Sequence, residues 1–155
     1  MVYLKILLPL LFSLLSTTTQ DIEKAFLQNN PKILYSHLSS RSSVNISLPE
    51  PISFSDQLSS QQAYFLFKKI FSSYTTFEFF SESEIPPASD EINFIFKARW
   101  SFRDNKNDDQ HVLHIFFFLV NEKEIQDGAS HSPANQKKRE LKNIWKIIEI
   151  KAEKI

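Results

Sequence analysis

The clearest hydrophobic pattern in the chain lies near its middle and predicts a long helix. Apolar and aromatic side chains recur there at the three- and four-residue spacing of one helix face, through Ala63, Leu66, Phe67, Ile70, Phe71 and Tyr74. Ser59 and Gln62 precede this stripe at the spacing of a capping box, in which each side chain accepts a hydrogen bond from the backbone N–H of the other residue. We therefore expect an amphipathic helix that begins directly after Ser59.

Two shorter helices are predicted before the long one. Residues 21–29 carry an apolar stripe, with Asp21 as the expected N-cap. A second helix is expected to begin at Pro31, because proline is favoured at the first helical position and Asn30 is a good N-cap. The two stripes consist of Ile22, Ala25 and Phe26 in the first helix and of Ile33, Leu34, His37 and Leu38 in the second.

Most of the remaining chain alternates apolar and polar residues with a period of two, which is the pattern of half-buried strands. Residues 42–48 form the first predicted strand, which Pro49 ends. Four antiparallel strands are expected after the long helix, at residues 75–84, 92–102, 111–120 and 143–152. This order of elements indicates an α+β domain with segregated helices and strands.

Two of these strands give specific expectations about which side chains point towards the helices. In residues 75–84, Phe77 and Phe79 are expected to share the inner face because they are two positions apart. In residues 92–102, the inward set is expected to be Ile92, Phe94, Phe96, Ala98, Trp100 and Phe102. These aromatic side chains would form most of one wall of the core.

The amino-terminal residues match the pattern of an export signal. Lys5 precedes an apolar run of ten residues, and small polar residues follow. A membrane-spanning helix needs about 20 apolar residues, roughly twice that number. We expect a signal peptide at residues 1–19 with cleavage after Thr18 or Thr19, and one domain at residues 20–155. The mature protein should then be periplasmic or extracellular, without a membrane span.

Composition narrows the possible function classes. The chain has 155 residues, enough for one domain, and its Lys+Arg and Asp+Glu counts are both 18. A net charge of zero disfavours nucleic-acid binding, which draws its affinity from basic residues. There is no cysteine, which excludes thiolate metal sites, and the single glycine, Gly128, excludes Gly-rich phosphate loops. We therefore expect no cofactor, no metal ion and no nucleic-acid partner.

Three segments resemble the nuclear transport factor 2-like (cystatin-like cone) superfamily. They are the two opening helices at residues 21–38, the Leu58-Ser59-x-x-Gln62-Ala63 start of the long helix, and the Trp-containing last strand at residues 143–153. Within the superfamily the chain is similar to small exported bacterial domains of unknown function. The resemblance implies helices packed on a curved antiparallel sheet, with an apolar cone-shaped pocket between them. Enzymatic members place an Asp, alone or with His or Tyr, inside that cone as a general base.

The residues that could line such a pocket are Phe94, Phe96, Trp100 and His114. The alternative is that the aromatic residues are ordinary core and that His114 is a packed or interface histidine. No acidic residue lies on the inward register of residues 92–102, so catalysis is disfavoured and no catalytic residue is assigned. His111 and His114 are three apart on a strand and point to opposite faces, so they are not expected to chelate a metal.

Three consecutive phenylalanines predict an interaction surface. Phe116 and Phe118 must share one face of their strand, and Phe117 must occupy the other. Large aromatic surface is rarely left exposed. We expect the face of Phe116 and Phe118 to be covered either by a second copy of the chain or by a mobile polar insertion at about residues 121–142, which is too long for a tight hairpin.

The sequence therefore favours an exported, non-catalytic binding or interaction module with an apolar cone interior, in which self-association and a small apolar ligand are the expected partners. The alternative is a ketosteroid isomerase-like enzyme that acts on a small apolar molecule. A buried carboxylate or His114 at the end of an open cavity would favour the enzyme, and a cone filled by Trp100 and phenylalanine side chains would disfavour it.

Overall fold

The computed structural model describes residues 13–82, 92–125 and 141–155. Within these ranges there are three helices, α1 (Ser13–Leu27), α2 (Pro31–Tyr35) and α3 (Ser60–Ser73). The strands are β1 (Val44–Leu48), β2 (Phe54–Leu58), β3 (Tyr74–Ser81), β4 (Asn93–Asp104), β5 (Gln110–Ile125) and β6 (Leu141–Lys154). The predicted α+β class is confirmed, and the predicted helices all exist.

The six strands form one mixed sheet in the order β2-β1-β6-β5-β4-β3. All neighbouring pairs are antiparallel except β1 and β6, which are parallel over Asn45–Ser47 and Glu149–Lys151. The last strand of the chain therefore lies in the interior of the sheet. Buried side chains of the three helices and of one sheet face form a single core, which joins Phe26, Leu34 and Phe67 to the strands.

The two helix starts predicted from capping residues are confirmed. The Ser59 side chain accepts from the backbone N–H of Gln62, and the Gln62 side chain accepts from the backbone N–H of Ser59, which completes the capping box. Asn30 accepts from the backbone N–H of Lys32 at the start of α2. The prediction for the first helix was wrong, because α1 begins at Ser13 and Asp21 lies inside it.

A β-bulge overturns the prediction that Phe77 and Phe79 share a face. The pairing of β3 with β4 shifts register between Thr76 and Glu78, which leaves Phe77 as an extra residue. Thr76 and Phe79 are buried in the core, whereas 51% of Phe77 is exposed. Before the bulge the buried position is therefore Thr76, one residue away from the expected Phe77.

The sheet is also larger than the sequence pattern predicted. β2 pairs with β1 from Leu58 to Phe54 and was not expected, because only its two end residues are partly buried. β5 and β6 form a ladder that reaches the pair Ile125 and Leu141. The ends of the predicted insertion at residues 121–142 are therefore strand, and its residues 126–140 lie outside the described residues.

The inward register of β4 is correct for four of the six predicted residues, since Phe96, Ala98, Trp100 and Phe102 are all buried. Phe94 is partly buried against the core, and Ile92 precedes the strand and is exposed. No helix in the described parts of the chain is long and apolar enough to cross a membrane. The signal peptide stays a prediction, because residues 1–12 lie outside the described ranges.

Candidate functional site

The inner face of the sheet surrounds one aromatic side chain from the first helix. The Phe26 ring is fully buried. It stacks on Phe79 with ring centroids 4.7 Å apart and meets Trp100 edge to face at 5.1 Å. Three more rings lie within 6.0 Å of it, those of Phe67, Phe71 and Phe117. Helix α1 thus places an aromatic ring where the resemblance implied an apolar pocket.

Two residues predicted to line a ligand pocket are part of this packing. Trp100 is fully buried, and its indole Nε1 donates a hydrogen bond to Thr76 Oγ1 at 2.9 Å. Phe96 is 2% exposed and stacks on Phe117 with centroids 5.8 Å apart. The buried indole therefore has an apolar environment and a hydrogen-bond acceptor within the protein, so its burial requires no ligand.

His114 lies on the opposite face of the sheet from Trp100. It is paired with Arg99 of β4 and Glu153 of β6, and these positions alternate with buried ones. Its Nδ1 atom is 3.1 Å from Glu82 Oε2, and Lys97 Nζ is 3.3 Å from the same oxygen. The His114 contact has the distance of an ion pair but lacks hydrogen-bond alignment. The four residues predicted to bind a ligand are therefore divided between two faces.

Phe116 and Phe118 lie on the outer face, as their alternation with buried Phe117 requires. Phe118 is opposite Ile95, and Phe116 is opposite Lys97, whose Nζ lies 5.6 Å from the Phe116 ring centroid. Half of Ile95 is exposed. We call the apolar surface formed by Phe80, Ile95, Phe116 and Phe118 the outer-face patch.

The outer-face patch has a polar group that the described residues do not satisfy. Arg99 lies between Phe80 of β3 and His114 of β5. Its Nε atom is buried and has no hydrogen-bond partner among the described residues. A buried donor without an acceptor destabilises a protein by about 1–3 kcal/mol.

On β6, charged residues of both signs lie beside the outer-face patch. Glu149 is opposite Phe118, Lys151 is opposite Phe116, and Glu153 is opposite His114. Lys151 Nζ and Glu153 Oε1 are 3.0 Å apart. Lys97, Arg99 and His114 also lie among these apolar side chains, so the face mixes apolar and charged groups.

One polar pair was missed by the sequence analysis. His37 Nε2 lies 2.9 Å from Asp21 Oδ2, which joins the end of α2 to the middle of α1. A carboxylate in this position can orient an imidazole for proton transfer. The sequence analysis predicts Asp21 as a helix N-cap and His37 as part of a helix stripe. The two residues are 16 positions apart, and this spacing gives no sign of contact. Only the packing of the α2 region against α1 brings the two side chains together.

Two surface cavities, of about 520 and 450 Å³, lie away from the predicted ligand-binding residues and from the outer-face patch. Neither is lined by Phe94, Trp100, His114 or the Asp21–His37 pair. Among the residues that the structure describes, no group of three or more His, Asp or Glu side chains could hold a metal ion.

A six-stranded sheet curved around three helices, with β6 between β1 and β5, defines the nuclear transport factor 2-like fold, and solved structures confirm this assignment. The chain is similar to a DUF4783 family protein from Bacteroides uniformis, with 12% identity over 88% of this chain and 95% of that one and a TM-score of 0.59. It is similar to a ketosteroid isomerase-like protein from Erwinia carotovora atroseptica, with 8% identity over 92% and 95% of the two chains and a TM-score of 0.61.

A third similar structure is a nuclear transport factor 2-like protein of unknown function in nutrient uptake from Rhodospirillum rubrum, with 10% identity over 90% and 97% of the two chains and a TM-score of 0.55. No family model and no curated protein matches the sequence. At these identities the likeness establishes the fold and leaves the activity to be argued from this chain's own residues.

Proposed function

We propose that this chain is an exported, non-catalytic interaction module that self-associates through the outer face of its sheet. The outer-face patch carries the proposal. Ile95 is exposed there opposite the partly buried Phe118, and Phe80 is exposed on the neighbouring strand, whereas Phe79, Phe96 and Phe117 on the other face are buried. Exposed aromatic and aliphatic side chains on one sheet face are typical of an interaction site.

Self-association is favoured over an unrelated partner because the face can complement itself. In a two-fold symmetric dimer the same patch faces its own copy, so each charge must find an opposite charge on an identical surface. Lys97, Lys151, Glu149 and Glu153 supply both signs on the same face as these apolar side chains.

The packing of the cone supports a non-catalytic role. Catalysis in such a fold needs a carboxylate or imidazole beside a bound apolar substrate. Phe26, Trp100 and Phe117 fill the described interior, and His114 lies on the other face. The alternative of a ketosteroid isomerase-like enzyme would need the Phe26 ring to move out of this position. A small apolar ligand inside the cone accordingly stays a prediction.

Sedimentation equilibrium of the mature chain tests self-association. We expect a dimer for the wild type. Ile95→Glu and Phe118→Glu, which place charge in the apolar centre, should each weaken association at least about 100-fold, since an unpaired buried charge costs several kcal/mol. Phe65→Glu is the matched control, because Phe65 is 57% exposed on α3, away from the sheet. A monomeric wild type, or dissociation by the control to the same extent, would contradict the proposal.

The export part of the proposal has support from the position of the core residues. Ile22, Ala25 and Phe26 all follow the predicted cleavage site, so removal of residues 1–18 or 1–19 would keep these three buried hydrophobic residues, although it would remove the buried Thr18. Intact mass spectrometry of the product after expression of the full chain in a bacterium measures the cleavage directly. The loss of 18 or 19 residues is expected, and a full-length soluble product would count against export.

A further inference from the structure

We propose that a second surface of this protein binds a small amphipathic monoanion, such as a carboxylate with an apolar body. The site is the cavity of about 520 Å³ between the segment before β2, the end of α3 and the turn after β4, here called the rim cavity. Ligand pockets in proteins commonly measure about 300–1,000 Å³. The rim cavity is separate from the outer-face patch, so this inference does not depend on the proposed self-association.

One wall of the rim cavity is apolar and belongs to the core. Ile52 and Phe54 approach from the β2 side, and Leu66 and Ile70 approach from α3. Ile70 is buried, and the other three are partly buried and packed against the core cluster. A wall of this kind can bury an apolar ligand body without any rearrangement of the strands.

The charged groups at the rim favour a negative ligand. Lys69 of α3 and Lys106 of the turn after β4 both line the cavity, and Asp104 is the only acidic residue in its lining. Two lysines and one aspartate give the lining a formal charge of +1. Neither lysine forms an ion pair within the described residues. Asp104 Oδ1 already accepts a hydrogen bond from the backbone N–H of Lys106 at 2.9 Å.

A cationic ligand would be expected if the end of α3 offered free carbonyl oxygens, because a helix C-terminus carries partial negative charge. These oxygens are already used. Asn105 donates from its side chain to Ser72 O at 3.1 Å and from its backbone N–H to Ser73 O at 3.0 Å. Asn29 Nδ2 donates to Phe71 O at 3.3 Å and to Tyr74 O at 3.0 Å. The charged side chains that face the cavity are therefore Lys69, Lys106 and Asp104, and the two lysines outnumber the one carboxylate.

Tyr74 fixes the geometry between the two sides of the rim cavity. Its hydroxyl donates to Pro51 O at 3.3 Å, which holds the segment before β2 against the start of β3. Burial, and secondarily the charge of Asp104, raise the pKa of the Tyr74 hydroxyl. The hydroxyl thus stays protonated and neutral near pH 7, so it adds no negative charge that would repel an anion.

Isothermal titration calorimetry with three ten-carbon probes tests the assignment. Decanoate, decanol and decylammonium share an apolar body and differ in the charge of the head group. We expect decanoate to bind most tightly and decylammonium most weakly. Equal affinity for all three probes, or no binding of decanoate, would overturn the proposal.

Substitutions then locate the site. Lys69→Gln and Lys106→Gln should each weaken decanoate binding about threefold, the size expected for one exposed ion pair, and should leave decanol binding unchanged. Lys68→Gln is the matched control, since Lys68 is an exposed neighbour on α3 that does not line the cavity. Phe54→Ala should weaken decanoate and decanol by the same factor of about ten, because it removes apolar contact from both.

The same titration with Ile95→Glu distinguishes this inference from the proposed self-association. Unchanged decanoate binding is expected in that variant, because Ile95 lies on the outer face of β4 and does not line the rim cavity. If Lys68→Gln weakened decanoate as much as the two cavity lysines, the interaction would be with general surface charge, and the rim cavity would be excluded as the site.

Discussion

Phe116, Phe117 and Phe118 are the same residue type on the same strand, yet they have different environments. Phe117 is fully buried and contacts Phe26, Phe79 and Phe96. Its two neighbours point to the other face and remain partly exposed. The pleat of the strand alone produces this difference. Whether one of these phenylalanines belongs to the core or to the outer face therefore depends only on whether its position along β5 is odd or even.

The two faces also differ in how their polar groups are satisfied. On the inner face the Trp100 indole has Thr76 Oγ1 as its acceptor, at 2.9 Å. On the outer face Arg99 Nε is buried without an acceptor among the described residues. The Trp100 hydrogen bond therefore stabilises the inner face, whereas the unpaired Arg99 Nε lowers the stability of the outer face.

The largest expected difference between the faces is in stability. Phe117→Ala should lower the free energy of unfolding by about 3–5 kcal/mol, because it leaves a cavity among packed rings. Phe116→Ala should lower it by about 1 kcal/mol, because that side chain is already partly exposed. Urea denaturation measures both. Both substitutions should be made in the Ile95→Glu variant, so that dimer dissociation does not contribute to the difference in unfolding free energy. Equal losses would contradict the assignment of the two faces.

A smaller effect should follow from removal of the buried acceptor. Thr76→Val keeps the shape of the side chain and leaves Trp100 Nε1 without its hydrogen bond, so we expect a loss of about 1–3 kcal/mol. Thr75→Val is the matched control on the same strand. Thr75 Oγ1 bonds to Asn105 Oδ1 at an exposed position, and its loss should change stability by less than about 0.5 kcal/mol. A control variant as unstable as Thr76→Val would argue against a special role for the indole contact.

The sequence predicted those parts of the fold that depend on local chemistry. The capping box of Ser59 and Gln62 placed the start of α3, and Asn30 placed the start of α2. The alternation in β4 identified Phe96 and Trp100 as inward-facing. Each of these signals acts over a few residues, so no knowledge of the tertiary structure was needed.

The features that were missed depend on pairing between distant segments. β2 lies at the sheet edge with an exposed middle, so it has no buried alternation to reveal it. The bulge at Phe77 exists because β3 must fit the register of β4. The contact of Asp21 with His37 depends on how α1 packs against α2. None of these is encoded by spacing along the chain.

The face of His114 could have been predicted from parity. His114, Phe116 and Phe118 are two residues apart in succession, so all three must share one face of β5. Assigning Phe116 and Phe118 to the outside already required His114 to be there. Its assignment to a pocket with Trp100 was therefore inconsistent with the predicted interface, and the contact with Glu82 is on the outer side.

The interior position of β6 has a consequence for how the chain folds during synthesis. Until residues 141–154 have been made, the β2-β1 hairpin and the β5-β4-β3 meander are two fragments, each with an open edge and no shared ladder. Because such long-range pairing is slow compared with local helix formation, we expect the six-stranded sheet to be completed only after β6 has been synthesised, when this one strand joins the two fragments.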